Sequence, residues 1–321
     1  MTEARLIDTG RIVLNIVEQG TGPLVVLLHG FPETSYSWRH LVPALAAQGF
    51  RAVAPDQRGY GLSDRPSFVD DYSIGQLADD IAALVNALGE EKAILVGHDW
   101  GAVVAWHVAL AHPEKVVGVA ALTVPFVGHG SVPPLSAVRA VFGDGFYQIY
   151  FQQEAADREL EADYVRTFTS ILYGLSGDAP AVSSLIIPPG KKFLDVCGQS
   201  PRVLPGWLSA KDIEHYSRTF AATGFTGPLN WYRNMNSNWE IATSWSRAVV
   251  SAPSILLVGD RDPITRFYNI PRLADTMRDH VANLRGIKVI AGAGHWIHQE
   301  RRDEVGETIL DFARKVTVGR L

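Results

Sequence analysis

Hydrophobic and polar positions along this chain switch repeatedly between two patterns, and the switches mark out its elements. Short apolar runs have the length and β-branched content of strands: "RIVLNIV" (11–17), "LVVLLHG" (24–30), "RAVAP" (51–55), "AILVG" (93–97), "VVGVAAL" (116–122), "SILLVGD" (254–260) and "IKVIAG" (287–292). The run at 24–30 is apolar at every strand position, as in a central strand covered on both faces. Between these runs the spacing turns helical, at 35–48, at 73–89 with Ser73 as cap and Gly89 as terminator, after residue 99, and at 303–316. Strands alternating with helices predict a mainly parallel sheet flanked by helices.

From about Pro125 to Ser246 the strand pattern stops. Prolines, glycines and aromatics take over, with helical stretches such as "AADRELEADYVRTFTSILYG" between them. The sheet pattern resumes afterwards, so residues 126–246 are expected to form an inserted helical cap on a core made of 1–125 and 247–321.

Composition narrows the class. The chain has 321 residues, 47% of them hydrophobic, which is ample for a large α/β core. A formal net charge of −5 with no basic run gives nucleic acid or an anionic membrane little to hold. No run is long enough to span a bilayer, and the start lacks a secretory pattern, so a cytoplasmic protein without membrane insertion is expected. The single cysteine, Cys197, cannot form an internal disulfide or a cysteine metal cluster. Neither a metal nor a cofactor is expected.

Function in an open α/β sheet gathers beyond the carboxyl ends of the strands. Three such loops carry Asp99, Asp262 and His295, in the chain order nucleophile, acid, histidine of an α/β-hydrolase triad. A fourth loop, "HGFP" (29–32), lies where such folds place an oxyanion-hole amide. Asp99 sits in "GHDWG", a tight strand-to-helix turn that presents its apical side chain. Serine there would suit an acyl carbon. A carboxylate suits displacement at saturated carbon, because the alkyl ester it forms still has a carbonyl that activated water can attack. His295, oriented by Asp262, would deprotonate that water, and the N–H groups of Phe31 and Trp100 would receive the oxyanion.

Epoxides and alkyl halides both meet this argument. An epoxide oxygen leaves as a basic alkoxide and profits from a proton donor, for which a neutral tyrosine serves. A dehalogenase with the same Asp-His-Asp machinery and a non-catalytic ligand-binding hydrolase fold are the alternatives. A serine-type esterase is disfavoured because no serine occupies the elbow.

"HGFPETSYSWRH", "APDQRGYGLSDRP", "GHDWGAVVAW", "YQIYFQ", "GPLNWYRN" and "GAGHWIHQE" together resemble the α/β-hydrolase-fold epoxide hydrolases, in particular those of the actinobacterial, mycobacterial epoxide hydrolase A type. The likeness runs from about residue 5 to 315. It implies an enzyme that opens a lipophilic epoxide to a vicinal diol, in detoxification or lipid metabolism, with a homodimer left open. It places the nucleophile on Asp99, the acid on Asp262, the base on His295, the oxyanion amides on Phe31 and Trp100, and the epoxide-polarising tyrosines on Tyr147 and Tyr232. It also implies a cis bond at Phe31–Pro32. Phe31, Pro32, Trp100, Gln148, Trp231 and Trp296 are the expected substrate-binding residues. Asp260 and Tyr150 are rivals to Asp262 and Tyr147, with Asp260 expected in a turn or cap. His29, His98, His107 and His112 are expected to be structural. No phosphatase-type second domain, and so no second activity, is expected.

Overall fold

The computed structural model describes residues 3–180, 183–198, 200–268 and 270–318; the expected core's outermost residues, 1–2 and 319–321, lie outside these. In chain order the first strands and helices are β1 (Glu3–Asp8), β2 (Val13–Gln19), β3 (Leu24–Leu28), α1 (Leu41–Ala46), β4 (Arg51–Pro55), α2 (Ile74–Ala87), β5 (Ala93–His98), α3 (Trp100–Ala111) and β6 (Val116–Leu122). Eight helices follow: α4 (Pro134–Phe142), α5 (Tyr147–Tyr150), α6 (Glu154–Glu161), α7 (Tyr164–Gly174), α8 (Phe193–Val196), α9 (Ala210–Thr223), α10 (Thr226–Arg233) and α11 (Met235–Ala242). The chain then completes the sheet with β7 (Ser254–Gly259), α12 (Ile270–Arg278), β8 (Leu284–Ile290), α13 (Ile297–Glu300) and α14 (Arg302–Val318).

The eight strands form one sheet in the order β1-β2-β4-β3-β5-β6-β7-β8. β1 and β2 are antiparallel to their neighbours, and the rest of the sheet is parallel. The continuous apolar run of β3 is explained by its two faces. Leu24, Val26 and Leu28 pack with α2 and α3, whereas Val25 and Leu27 pack with Trp38 and with α1 and α14. Alternate residues therefore enter separate cores, and each large aliphatic side chain buried this way contributes about 1.5–3 kcal/mol.

Three local readings differ from the structure. β1 was not expected; its mixed-charge sequence hides an edge strand that pairs Ile7 with Leu14. The single helix expected at 35–48 is a 3-10 turn, Ser35–Trp38, followed by α1. Pro43 has no N–H and fits only the first turn of a helix, so the helix starts just before it. β8 begins at Leu284, not 287, because Gly286 inside this edge strand masks its start.

Between β6 and β7 the described residues add no strand to the sheet. Phe146 and Ile186 form an isolated bridge there, Val250 forms another with Val281, and the remainder is helices and loops. The helical stretch read at 155–174 divides at Asp163, whose side chain accepts the Arg166 N–H at 3.0 Å and caps α7. This helical segment lies against the loops at the carboxyl ends of the strands, the region that carries the triad candidates.

Candidate active site

Asp99 occupies the turn between β5 and α3 with φ 51° and ψ −121°, a conformation rare for any residue with a Cβ. Its glycine neighbours explain how the turn closes. A Cβ on Gly97 would lie 2.2 Å from the Gly101 carbonyl oxygen, and one on Gly101 would lie 2.0 Å from the Leu28 oxygen. A Cβ on Gly30 would meet the Asp99 Cβ at 2.4 Å. "GHDWG" and the glycine of "HGFP" are therefore one packing unit that brings the loop after β3 against the nucleophile candidate. The Phe31–Pro32 bond is cis, and the Phe31 N–H donates to Asp99 Oδ1 at 3.0 Å. The N–H of Trp100, first in α3, has no acceptor within the helix, so the helix start also favours an anion here.

Asp262 follows β7 and caps a 3-10 turn, accepting the Ile264 N–H at 2.8 Å. Both its oxygens lie near His295 Nδ1, at 3.2 and 3.1 Å. A carboxylate only accepts, so Nδ1 carries the proton and Nε2 faces Asp99, 3.7 Å from its Oδ2. Burial alone would lower the His295 pKa. The charge of Asp262, its hydrogen bond, and the charges of Asp99 and Glu33 reverse that and push it up to about 9. Asp260 turns elsewhere: its Oδ1 accepts the Gly292 N–H at 2.7 Å, the turn role expected of it.

The loop bearing His295 is fastened from two sides. Glu300 accepts the N–H groups of Gly294 (2.8 Å), Trp296 (2.9 Å) and Gly177 (2.8 Å), the last from the helical segment. The His295 N–H itself donates to the Leu175 carbonyl at 2.8 Å.

Behind the triad lies a network that sequence reasoning missed. His98 Nε2 meets the His295 carbonyl oxygen at 2.9 Å, and its Nδ1 meets Glu33 Oε2 at 2.8 Å. Gln299 donates to the other Glu33 oxygen at 2.8 Å, with His298 Nε2 at 3.4 Å from the same atom. Burial opposes charge on Glu33, but the two imidazoles hold its carboxyl well below the ordinary range. Burial pushes His298 down to about 4. Glu33, His98 and His298 bring their donor atoms within 4.8 Å of one another, yet the hydrogen bonds just given already occupy Glu33 and His98. A glutamate directly after "HGFP" with a histidine before Asp99 is the signal that was available.

Tyr147 opens α5 and Tyr232 lies in α10, their rings 6.1 Å apart over Phe31 and Trp100, which sit 5.3 and 5.2 Å from the Tyr232 ring. Burial first, then the charge of Asp99, pushes both phenols up, so both keep their protons. Gln148 donates to the Tyr147 oxygen at 3.1 Å. Tyr150 is otherwise engaged, its hydroxyl donating to Glu159 at 2.7 Å. α10 reaches its place through Trp231, whose indole N–H donates to the Arg58 carbonyl at 3.1 Å, and through Gly227 packed on Gly59.

A cavity of about 620 Å³ opens beside these groups, reaching Trp100 and Gln148 but not lined by Asp99, Asp262, His295, Tyr147 or Tyr232 themselves. Trp100, Gln148 and Tyr268 form its inner end, and it runs outward between α3 and the helices α4 and α11. Trp231 and Trp296, expected as pocket wall, do not line it. Both are 0% exposed, and Trp296 packs on the rings of His295 and His98. Phe31 and Pro32 are likewise buried and stand behind the cavity. Tyr268 was not expected; it lines the cavity, and burial with the charges of Asp262 and Asp99 raises its pKa. Its place just beyond the Asp262 turn was the available clue.

Comparison with known proteins agrees with this architecture. Residues 23–163 match the family model described as the alpha/beta hydrolase fold. The chain is 43% identical to Epoxide hydrolase A of Mycobacterium tuberculosis over 96% of each chain. It is 37% identical to Epoxide hydrolase 3 of Siraitia grosvenorii, over 96% of this chain and 97% of that one. The crystal structure of Epoxide Hydrolase A from Mycobacterium thermoresistibile superposes with a TM-score of 0.91 at 42% identity, covering 98% of both chains. With strand order, elbow and cleft in agreement, the chain belongs to the epoxide hydrolase family of the α/β-hydrolase fold, enzymes that hydrolyse epoxides.

Proposed function

We propose that Asp99 opens the epoxide by forming a covalent ester, and that residues 126–246 act as the cap carrying the proton donors. The observation that supports this most is the posture of one carboxylate. Oδ1 of Asp99 is held by the Phe31 N–H at 3.0 Å, while Oδ2 lies 3.7 Å from His295 Nε2 with the hydroxyl-bearing rings of Tyr147 and Tyr232 nearby.

In the first step Oδ2 attacks a ring carbon and the carbon–oxygen bond of the epoxide breaks. The departing oxygen takes a proton from Tyr147 or Tyr232, a contribution of about 10²–10⁴ in rate for a positioned donor. The negative charge of Asp99 vanishes in the ester. One of the influences that raise His295 vanishes with it, so its pKa falls, its Nε2 proton passes to the deprotonated tyrosine, and Nε2 becomes available as a base when it is needed. His295 then takes a proton from water, the water oxygen adds to the Asp99 carbonyl carbon, and the oxyanion rests on the N–H groups of Phe31 and Trp100. Collapse breaks the bond between that carbon and the substrate-bearing oxygen, which takes the remaining proton of the added water, releasing a vicinal diol and restoring the carboxylate. One Asp99 oxygen thus leaves with the product and one arrives from water. The substrate is a lipophilic epoxide in the apolar cavity beside Trp100 and Gln148.

The test offers styrene oxide and a bromoalkane in parallel, with Asp99→Asn as control. Diol without bromide is expected, lost in the variant. His295→Gln is expected to trap a protein heavier by one epoxide on a peptide containing Asp99, read by mass spectrometry. In a single turnover in ¹⁸O water the label is expected in Asp99, not in the diol. Label in the diol would overturn the covalent route, and bromide without diol would return the chain to the dehalogenase reading.

A further inference from the structure

Along its length α3 is apolar at every position but one: in "WGAVVAWHVALA" the sole polar side chain is His107. Apart from its last residue, Ala111, the helix is buried except for a stripe at Trp100, Val103, His107 and Leu110, the spacing of one helical face, and that stripe lines the cavity. His107 is therefore neither a core residue nor a surface one. It stands in the wall of the cleft, on the same rigid helix that presents Asp99.

Hydrogen bonding determines what His107 offers. Nδ1 lies 2.8 Å from the Val103 carbonyl oxygen, which only accepts, so Nδ1 carries the proton. Burial lowers the pKa of the ring and keeps it neutral. Nε2 is left as a bare acceptor with no partner among the described residues, beside the Trp245 ring at 6.0 Å. Asn238, lining the same cavity from α11, is oriented by a comparable constraint. Its Oδ1 accepts the Ile74 N–H at 2.7 Å, which leaves its amide hydrogens without a partner among the described residues. His129, also on the lining, is already engaged through Nε2 with the Trp239 carbonyl at 3.0 Å. Among the described residues, no Lys, Arg, Asp or Glu lines the cavity.

We propose that His107 forms a distal subsite for a hydroxyl group, and that the substrate is an uncharged lipophilic epoxide carrying an alcohol well removed from the ring. This rests on the epoxide reading above and adds a second recognition point to it. A hydroxyl donates to His107 Nε2 and can accept from an amide such as Asn238, whereas a carboxylate would bring acceptor against acceptor. The helix also sets the separation. Seven residues from Trp100 to His107 span roughly 10 Å of helix, about eight bonds of an extended alkyl chain.

The test compares terminal epoxyalkanes of increasing length that end in a hydroxyl with matched chains that end in a methoxy group, which keeps the oxygen but removes the donor. The readout is the ratio of kcat/KM, hydroxyl over methoxy, within each enzyme. In the unaltered enzyme the ratio is expected to peak at about three- to tenfold near eight to ten carbons, the worth of one hydrogen bond. In His107→Phe it is expected to fall to about one at every length, with His107→Leu as the second variant should phenylalanine prevent folding. A ratio near one in the unaltered enzyme, or a preference that survives both substitutions, would overturn the subsite. If no epoxide is turned over, the reaction assignment fails on its own. Quenching of indole fluorescence by 1-octanol against methyl octyl ether then decides the subsite: tighter octanol binding that is lost in His107→Phe supports it, and equal binding refutes it.

Discussion

The two halves of the site are built by opposite means. On the core side the carboxylates and imidazole are fixed by hydrogen bonds and by backbone so closely packed that only glycine fits. Asp99 is held by Phe31, Asp262 by Ile264, and His295 by Asp262 and Leu175. On the helical side the tyrosines are held mainly by aromatic packing, with Phe31, Trp100 and Phe151 around Tyr232. Charged groups taken out of water need partners to stay charged, while a neutral phenol needs only a shaped apolar surrounding. The division matches the work proposed for each side: charge kept ready on one, a proton kept until called for on the other.

Removing the charge should have the largest effect. Asp99→Asn is expected to lower kcat for diol formation by about 10⁴-fold or more, since nothing else in the site can replace the nucleophile; steady-state diol assay checks it. Removing both donors comes next. Tyr147→Phe with Tyr232→Phe is expected to cost about 10²–10⁴-fold with little change in thermal stability, because the rings that pack are kept. A large loss of stability instead would mean that the hydroxyls, not the rings, hold the helical side together. Gly101→Ala tests the core side's dependence on close approach. The methyl would lie 2.0 Å from the Leu28 oxygen, and a loss of at least about 3 kcal/mol in denaturant unfolding is expected.

A smaller effect should appear with pH. His295 has a folded pKa raised from 6.5 to about 9, so protonation favours the folded state. The stability it contributes is full below pH 6.5 and is lost as pH rises through about 9. The difference in melting temperature between the unaltered protein and His295→Gln should shrink over that window. The smallest effect expected is that of Trp231→Phe, which keeps a ring but loses the bond to the Arg58 carbonyl. It should cost about 1 kcal/mol and disturb diol formation through Tyr232 more than it disturbs unfolding.

The same division governed what could be read beforehand. The core strands announced themselves because both faces are buried and the apolar runs are unbroken, as in β3, β5 and β6. The edges did not: in β1 only Ile7 is buried among residues 4–8, in β8 only Ile290 is, and Gly286 interrupts the latter. Asp99, Asp262 and His295 were picked out by their places at strand ends in a fixed chain order, and Asp260 was set apart from Asp262 by its bond to the Gly292 N–H. Tyr147 was separable from Tyr150 only once Glu159 was seen to engage the latter. The placing of Trp231 and Trp296 was illegible, since hydrophobicity predicts burial but not whether the buried face looks into a cleft or into a core. The cavity beside His107 was illegible for the converse reason: a histidine in an apolar helix has the signature of a packed residue until the cavity is visible.

Glu300 carries one last implication, for how molecules enter and leave. Its carboxylate joins Gly177 of the helical segment to Gly294 and Trp296 of the histidine loop, and Leu175 is tied to His295 directly. Swinging the helical segment away as a lid would tear at the base in every cycle. Traffic is expected instead along the cavity past Val127, a lining residue open to solvent at 64% exposure, with the helical segment in place. Selection among epoxides is then expected to follow the width of that passage more than the motion of a hinge.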